Sequence, residues 1–141
     1  MMNIHLRSCT RDDWDIILDL RNQFYLGSFI LQDRPLTKKE HYEYMEKQLT
    51  NPHFHQWMAI MDNNVVGYIR ILDLEINILV VKEYQNKGVG TKMLQLLENE
   101  AKKLNIKKLR GSVRADNLNS KQLFEKNNYK LKMYWFEKEL D

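Results

Sequence analysis

The 141-residue sequence predicts an α/β layer fold: one domain with a mixed, mostly antiparallel sheet flanked by helices. Three observations carry that reading. Two apolar runs, Gln56–Met61 and Val65–Leu72, flank Asp62-Asn63-Asn64, residue types that tolerate the left-handed backbone of a tight hairpin. A third run, Glu75–Val81, follows across the very short Asp73-Leu74 connection, and its apolar density indicates a strand covered on both faces. Then comes a strand–helix–strand crossover, which makes the sheet mixed.

The elements follow in order. Ile4, Leu6 and Ser8 alternate with polar partners as a short first strand. Thr10 precedes Asp12, Asp13 and Asp15, which suits a capped helix start with acids in its first turn, and Trp14, Ile17, Leu18 and Arg21 continue at helical spacing. Residues 24–36 have no clean period and read as an irregular segment or short helical turns. Thr37 with Glu40 forms a capping box, and Tyr42, Met45 and Leu49 give the next helix its apolar stripe until Asn51-Pro52 stops it. After the three strands, Gly88–Leu104 is helical, with Val89, Met93, Leu96, Leu97, Ala101 and Leu104 on one side. Lys108–Arg114 reads as a strand, Asn119–Asn127 as a short helix, and Tyr129–Glu139 as a terminal strand pair or bent strand.

Composition narrows the function classes. Hydrophobic residues make up 43% of the chain, enough at this length for a real core. No apolar run is long enough for a transmembrane helix or a signal peptide, so a soluble, cytoplasmic protein without membrane association is expected. Cys9 is the single cysteine, which excludes an internal disulfide and a Cys-rich zinc site. The four histidines have no paired spacing on a helix, so no metal is expected. The net charge of +3 hides an asymmetry: residues 1–81 carry 8 Lys/Arg against 11 Asp/Glu, and residues 82–141 carry 14 against 8. A basic half suits an anionic ligand, or simply a lysine-rich solvated face. Nothing arginine-rich or aromatic-interleaved supports nucleic-acid binding.

The stretch from Ile78 to Thr91 runs a buried strand into a turn that opens a helix, and two of the five glycines, Gly88 and Gly90, sit in that turn. A helix start exposes unpaired N–H groups and partial positive charge, which attract phosphate. Glycines let a pyrophosphate approach the backbone, and Lys87 adds a cation. The dinucleotide fingerprint lacks its third glycine, where Met93 stands, and the Walker A loop is also missing. On spacing alone, the two glycines are equally consistent with a tight strand-to-helix turn.

Gln85-Asn86-Lys87-Gly88-Val89-Gly90 resembles the Gln/Arg-x-x-Gly-x-Gly/Ala acetyl-CoA motif of the GCN5-related N-acetyltransferases (GNAT). Further on, Asn117, Ser120, Phe124-Glu125-Lys126 and Asn128-Tyr129 are similar to that family's second signature, at the correct spacing and in the correct order. The resemblance extends over essentially the whole chain, residues 1–141, as one N-acetyltransferase domain.

It implies a sheet whose central strands splay apart, with the pantetheine arm of acetyl-CoA paired to backbone groups of Leu79, Val80 and Val81. One of those N–H groups would face the thioester carbonyl as an oxyanion donor. The pyrophosphate would rest on the N–H groups of Gln85, Asn86, Lys87, Gly88, Val89, Gly90 and Thr91, and Asn117, Ser120 and Phe124 would line the other side. The implied reaction is direct acetyl transfer to an amine, which needs a base for the ammonium proton and an acid for the leaving thiolate. No covalent enzyme intermediate is needed, so Cys9 reads as core. Glu75, at the start of the central strand, is the first choice for the base and His41, on the second helix, the other. Many relatives use a Tyr as acid where Phe124 stands here; Tyr129 and Tyr134 are the nearest tyrosines.

The acceptor is expected to be a small-molecule amine. The Leu20–Trp57 region loosely resembles acetyltransferases acting on amino groups of nucleotide-linked sugars. Protein N-terminal or lysine acetylation is the alternative, small amines such as polyamines are further candidates, and a non-catalytic acetyl-CoA sensor is the alternative of another class. A monomer or homodimer is expected.

Overall fold

The computed structural model describes residues 2–28 and 32–141. Five strands, β1 (Ile4–Ser8), β2 (Phe54–Met61), β3 (Asn64–Leu72), β4 (Glu75–Val80) and β5 (Arg110–Gly111), form one sheet in the order β1-β2-β3-β4-β5. The first four are antiparallel, and β5 joins β4 in parallel. Among the described residues, four α-helices flank them: α1 (Trp14–Ser28), α2 (Lys38–Gln48), α3 (Val89–Lys103) and α4 (Leu118–Lys126).

Alternation along the strands sends side chains to two separate cores. On one face Ile69, Ile71 and Ile76 pack with Val89, Met93, Leu94 and Leu97 of α3 and Phe124 of α4. On the other, Met58, Tyr68 and Leu79 pack with Trp14, Ile17 and Leu20 of α1 and Met45 of α2. Gly67 of β3 sets how closely α3 lies on the sheet: a Cβ there would fall 2.7 Å from Met93 Sδ and 2.8 Å from the Leu79 carbonyl oxygen.

Both predicted helix starts are reciprocal caps. Thr37 Oγ1 accepts from the Glu40 N–H at 3.2 Å, and the Glu40 carboxylate accepts from the Thr37 N–H at 3.1 Å. Before α1, the Thr10 N–H donates to the buried Asp13 carboxylate at 2.8 Å. Arg7 grips that carboxylate with two bonds of 2.9 Å and, more than any other group, holds its pKa below the ordinary carboxylate range.

Three expectations are corrected. Phe24 and Tyr25 are not irregular: α1 runs on to Ser28, because both rings pack on the α1/α2 core. The remainder of that segment at 29–31 lies outside the described residues, and 32–37 carries no regular element. The expected strand Lys108–Arg114 shrinks to Arg110–Gly111, since the chain leaves β4 after two residue pairs. Tyr129–Glu139 forms no strand among the described residues; Tyr129 packs on the core, and Leu131, Met133, Tyr134, Trp135 and Phe136 lie exposed.

Candidate active site

The site begins where β4 and β5 part. Glu75 pairs with Arg110 and Ile76 with Gly111, and beyond that β4 runs alone on this side to Val80. Which backbone groups face the gap follows from ladder alternation. The Val81 N–H is committed to the Val66 carbonyl on β3 at 2.9 Å, so Leu79, two residues back, also bonds toward β3. The groups aimed into the gap are therefore those of Ile78 and Val80, not those of Leu79 and Val81 as the sequence suggests.

Gln85 ties the adjoining turn to this edge, its Nε2 donating to the Val80 carbonyl at 3.0 Å. The turn then passes through left-handed backbone at Asn86 (φ 60°) and Gly88 (φ 82°) before α3 starts. The first intrahelical bond of α3 runs from the Lys92 N–H to the Gly88 carbonyl at 3.1 Å, leaving the N–H groups of Val89, Gly90 and Thr91 without helix acceptors. No acidic side chain sits in that first turn to offset the helix dipole. The Gln85 N–H is already bonded to the Lys82 carbonyl at 3.2 Å and drops out of the expected phosphate cradle.

Opposite, Asn117 caps α4 by accepting from the Ser120 N–H at 3.1 Å. Gly90 faces both walls: a Cβ there would make ordinary contact, 3.4 Å from Leu123 Cδ2 and 3.7 Å from Val80 Cγ2. These elements enclose an open cleft of about 550 Å³. Of the expected residues, Leu79, Val80, Gln85, Asn86, Gly88, Gly90, Thr91, Asn117 and Ser120 line it. Val81 and Lys87 are not among its lining residues, and Val89 is buried in the α3 core. Phe124 is also buried, its ring lying where a Cβ on Gly111 would fall, 2.4 Å from Cζ. Ile78, Gln23 and Phe24 of α1, and Asn119, Gln122, Leu123 and Lys126 of α4 line the cleft unforeseen. Helical spacing from Ser120 would have found Leu123, and the alternation of β4 would have found Ile78.

The expected proton-transfer groups separate. His41 is fully buried on α2, and its Nε2 lies 2.9 Å from the Trp14 carbonyl, to which it donates. Burial first, then the charge of Arg21, lowers its pKa to about 4. The ring is a neutral core group without access to a substrate. Glu75 is exposed at the far end of β4 and accepts from Ser112 Oγ at 2.6 Å. It shares a strand face with Asn77 and Leu79, roughly 13 Å along the strand from Leu79. Tyr129 donates to Glu98 at 2.8 Å and its pKa is raised, chiefly by burial; Tyr134 is exposed on the chain past α4. Burial pushes the Cys9 thiol up to about 12, which removes it as a nucleophile.

A second cluster lies on the α1/α2 face. Arg70, opposite Asn77 in the β3–β4 ladder, donates from Nη1 to Tyr44 Oη at 2.6 Å. Arg21, one helical turn before Phe24, brings its Cζ within 5.2 Å of the Tyr44 ring centroid. Its pKa is lowered first by burial and then by the charge of Arg70.

A mixed sheet with parted central strands, a glycine turn opening a helix beside the gap and a capped helix across it define a coenzyme A-dependent acyltransferase. The family model of the acetyltransferase (GNAT) family matches residues 14–129, and the chain belongs to that family. It is an acetyl-CoA-dependent N-acetyltransferase. Solved structures share the fold. A domain from Methanocaldococcus jannaschii superposes with a TM-score of 0.81 at 24% identity, over 92% of this chain and 90% of that one. Spermidine N-acetyltransferase from Vibrio cholerae, in complex with CoA and spermine, gives 0.75 at 20% over 87% and 78%. An N-acetyltransferase from Staphylococcus aureus Mu50 gives 0.74 at 23% over 89% and 82%.

The buried histidine makes a pH prediction. With its folded pKa near 4 and an unfolded value near 6.5, His41 is protonated first in the unfolded chain. Stability should therefore fall as pH drops through 6.5 and the His41 contribution should be spent near pH 4, a loss on the order of 3 kcal/mol. His41→Gln keeps a donor for the Trp14 carbonyl and cannot titrate. Urea unfolding across this range should show a shallower decline for the variant than for the wild type.

Proposed function

We propose that this acetyltransferase acylates a primary amine on a small molecule that also carries an anionic group, an amino sugar nucleotide fitting best. The observation that carries the reading is the Arg21–Arg70 pair around Tyr44. Two guanidinium groups set around one tyrosine ring repel a polycation and favour phosphate or carboxylate. Tyr44 and Phe54, in edge contact at 6.2 Å, and Phe24 in the cleft wall supply aromatic faces for a base or sugar ring.

The coenzyme side fits what the chain offers. The pyrophosphate is assigned to the free N–H groups of Val89, Gly90 and Thr91, where the left-handed Gly88 keeps the approach open, with Lys87 and Lys126 as nearby cations. The pantetheine amides are assigned to the Ile78 and Val80 edge of β4, and Asn117 and Ser120 form the opposite wall. When bound, acetyl-CoA supplies the activated acyl group. The protein's own part is to align the amine, exclude water and move one proton. An ammonium group with pKa of about 8 to 10 must lose its proton first. Glu75 is the proposed acceptor of that proton, relayed through water because of its distance from Leu79. With Phe124 unable to donate and Tyr129 tied to Glu98, the leaving thiolate is proposed to take its proton from solvent or from the former ammonium.

Three outcomes test this. Thiol release from acetyl-CoA should require an amine and be much faster with a nucleotide-linked amino sugar than with spermidine or a peptide amine; a preference for spermidine overturns the acceptor assignment. Glu75→Gln should lower kcat about 100-fold; an unchanged rate removes Glu75 as base. Gly88→Val, forced to a φ of 82°, should weaken acetyl-CoA binding about tenfold by calorimetry.

A further inference from the structure

The segment 32–37, between α1 and α2, is joined to α1 by the side-chain amide of Asn22. Its Nδ2 donates to the Leu36 carbonyl at 2.9 Å, and its Oδ1 accepts from the Leu36 N–H at 2.7 Å. One amide thus pairs with both backbone groups of one residue, as a neighbouring strand would. The same Oδ1 accepts from Gln32 Nε2 at 3.3 Å, and that Nε2 also donates to the Arg34 carbonyl at 3.0 Å. Segment 32–37 carries no regular element of its own, so this amide does for it what a ladder does for a strand.

What stands on either side gives the tie a meaning. On α1, Asn22 is followed by Gln23 and Phe24, which line the cleft, and preceded by Arg21, whose Cζ lies 5.2 Å from the Tyr44 ring centroid. On the other side, Leu36 leads directly into the Thr37 cap, and α2 carries Tyr44 about two turns on. The start of α2 is held separately. His41 Nε2 donates to the Trp14 carbonyl at 2.9 Å, and Tyr42 Oη donates to the Asp15 carboxylate at 2.8 Å, both at the beginning of α1. Neither that fastening nor the shared core of Trp14, Ile17, Leu20 and Met45 includes Asn22. Loss of the Asn22 amide therefore releases the Arg21 end of α1 while the two helices stay packed.

We propose that Asn22 is a positioning residue for the amine acceptor. By pairing with Leu36 it fixes the last turns of α1, which bear Arg21 and Phe24, against the segment that leads to Tyr44. The roles of Arg21 and Tyr44 as acceptor contacts rest on the function proposed above. Asn22 acts on that wall alone: the phosphate turn at 85–91 is built from the end of β4 and the start of α3. Its removal belongs to the class of changes that weaken ground-state and transition-state binding of one substrate equally.

Steady-state kinetics of Asn22→Asp, Asn22→Leu and Asn22→Ala test this, with a nucleotide-linked amino sugar and with spermidine as acceptors, and with acetyl-CoA affinity measured by calorimetry. Asp keeps an acceptor for the Leu36 N–H and loses the donor to its carbonyl; Leu keeps the volume and loses both. The KM for the amine should rise about tenfold in Asn22→Leu and Asn22→Ala alike, and by less in Asn22→Asp. In all three, kcat should stay within about twofold and acetyl-CoA affinity should not move. An amine KM restored by Leu assigns Asn22 to packing and overturns the proposal. So does a KM that moves in no variant, or that moves only together with acetyl-CoA affinity. Failure of the acceptor assignment reads out separately: a wild type that turns over spermidine alone overturns that assignment, and the order of the three variants on spermidine then decides the positioning role.

Discussion

Strands β4 and β5 hold together for two residue pairs and then part, and the rest of the site is arranged around that separation. Phe124 packs over the last pair by occupying the space above Gly111, where a residue with a Cβ would leave no room for the ring. Because β5 turns away, α4 can start across the gap instead of behind it, with Leu123 beside Gly90 of α3. The parting also leaves backbone amides of β4 unpaired inside the protein's outline. Unpaired amides are costly when buried, so the gap is stable only as an open, wet groove or with a ligand bonded along it.

Much of this was legible in the residues, for identifiable reasons. The hairpin between β2 and β3 was written in Asp62 and Asn63, both of which adopt positive φ, and the glycine turn in Gly88, which does the same. The cap of α4 was written in Asn117. What was hidden depends on tertiary packing. Phe24 and Tyr25 carry no helical period of their own and are helical because they complete the α1/α2 core. His41, between glutamate and tyrosine on a helix of exposed polar residues, reads as a solvent-facing base, but the Trp14 carbonyl receives it in the interior. The phenylalanine from the following helix that packs over Gly111 of β5 is likewise a tertiary contact, which no local pattern announces.

Charge also reads differently at two scales. The basic C-terminal half contributes the glycine turn and Lys126 to the cleft, as its composition suggests. The N-terminal half is acidic in sum, yet Arg21 and Arg70 lie together on its buried face, while Asp12, Asp15 and Asp19 are exposed on the outside of α1. Net charge by halves therefore does not report the charge of an individual face.

The bond from Gln85 to the Val80 carbonyl gives the open strand edge a polarity. Of the backbone groups that alternation turns toward the gap, it removes one acceptor and leaves two donors, the N–H groups of Ile78 and Val80, against one acceptor, the Ile78 carbonyl. A chain of amides lying along this edge therefore meets more donors than acceptors. The glutamine that shapes the phosphate turn thereby also makes the open edge a net donor, suited to a ligand rich in carbonyl oxygens.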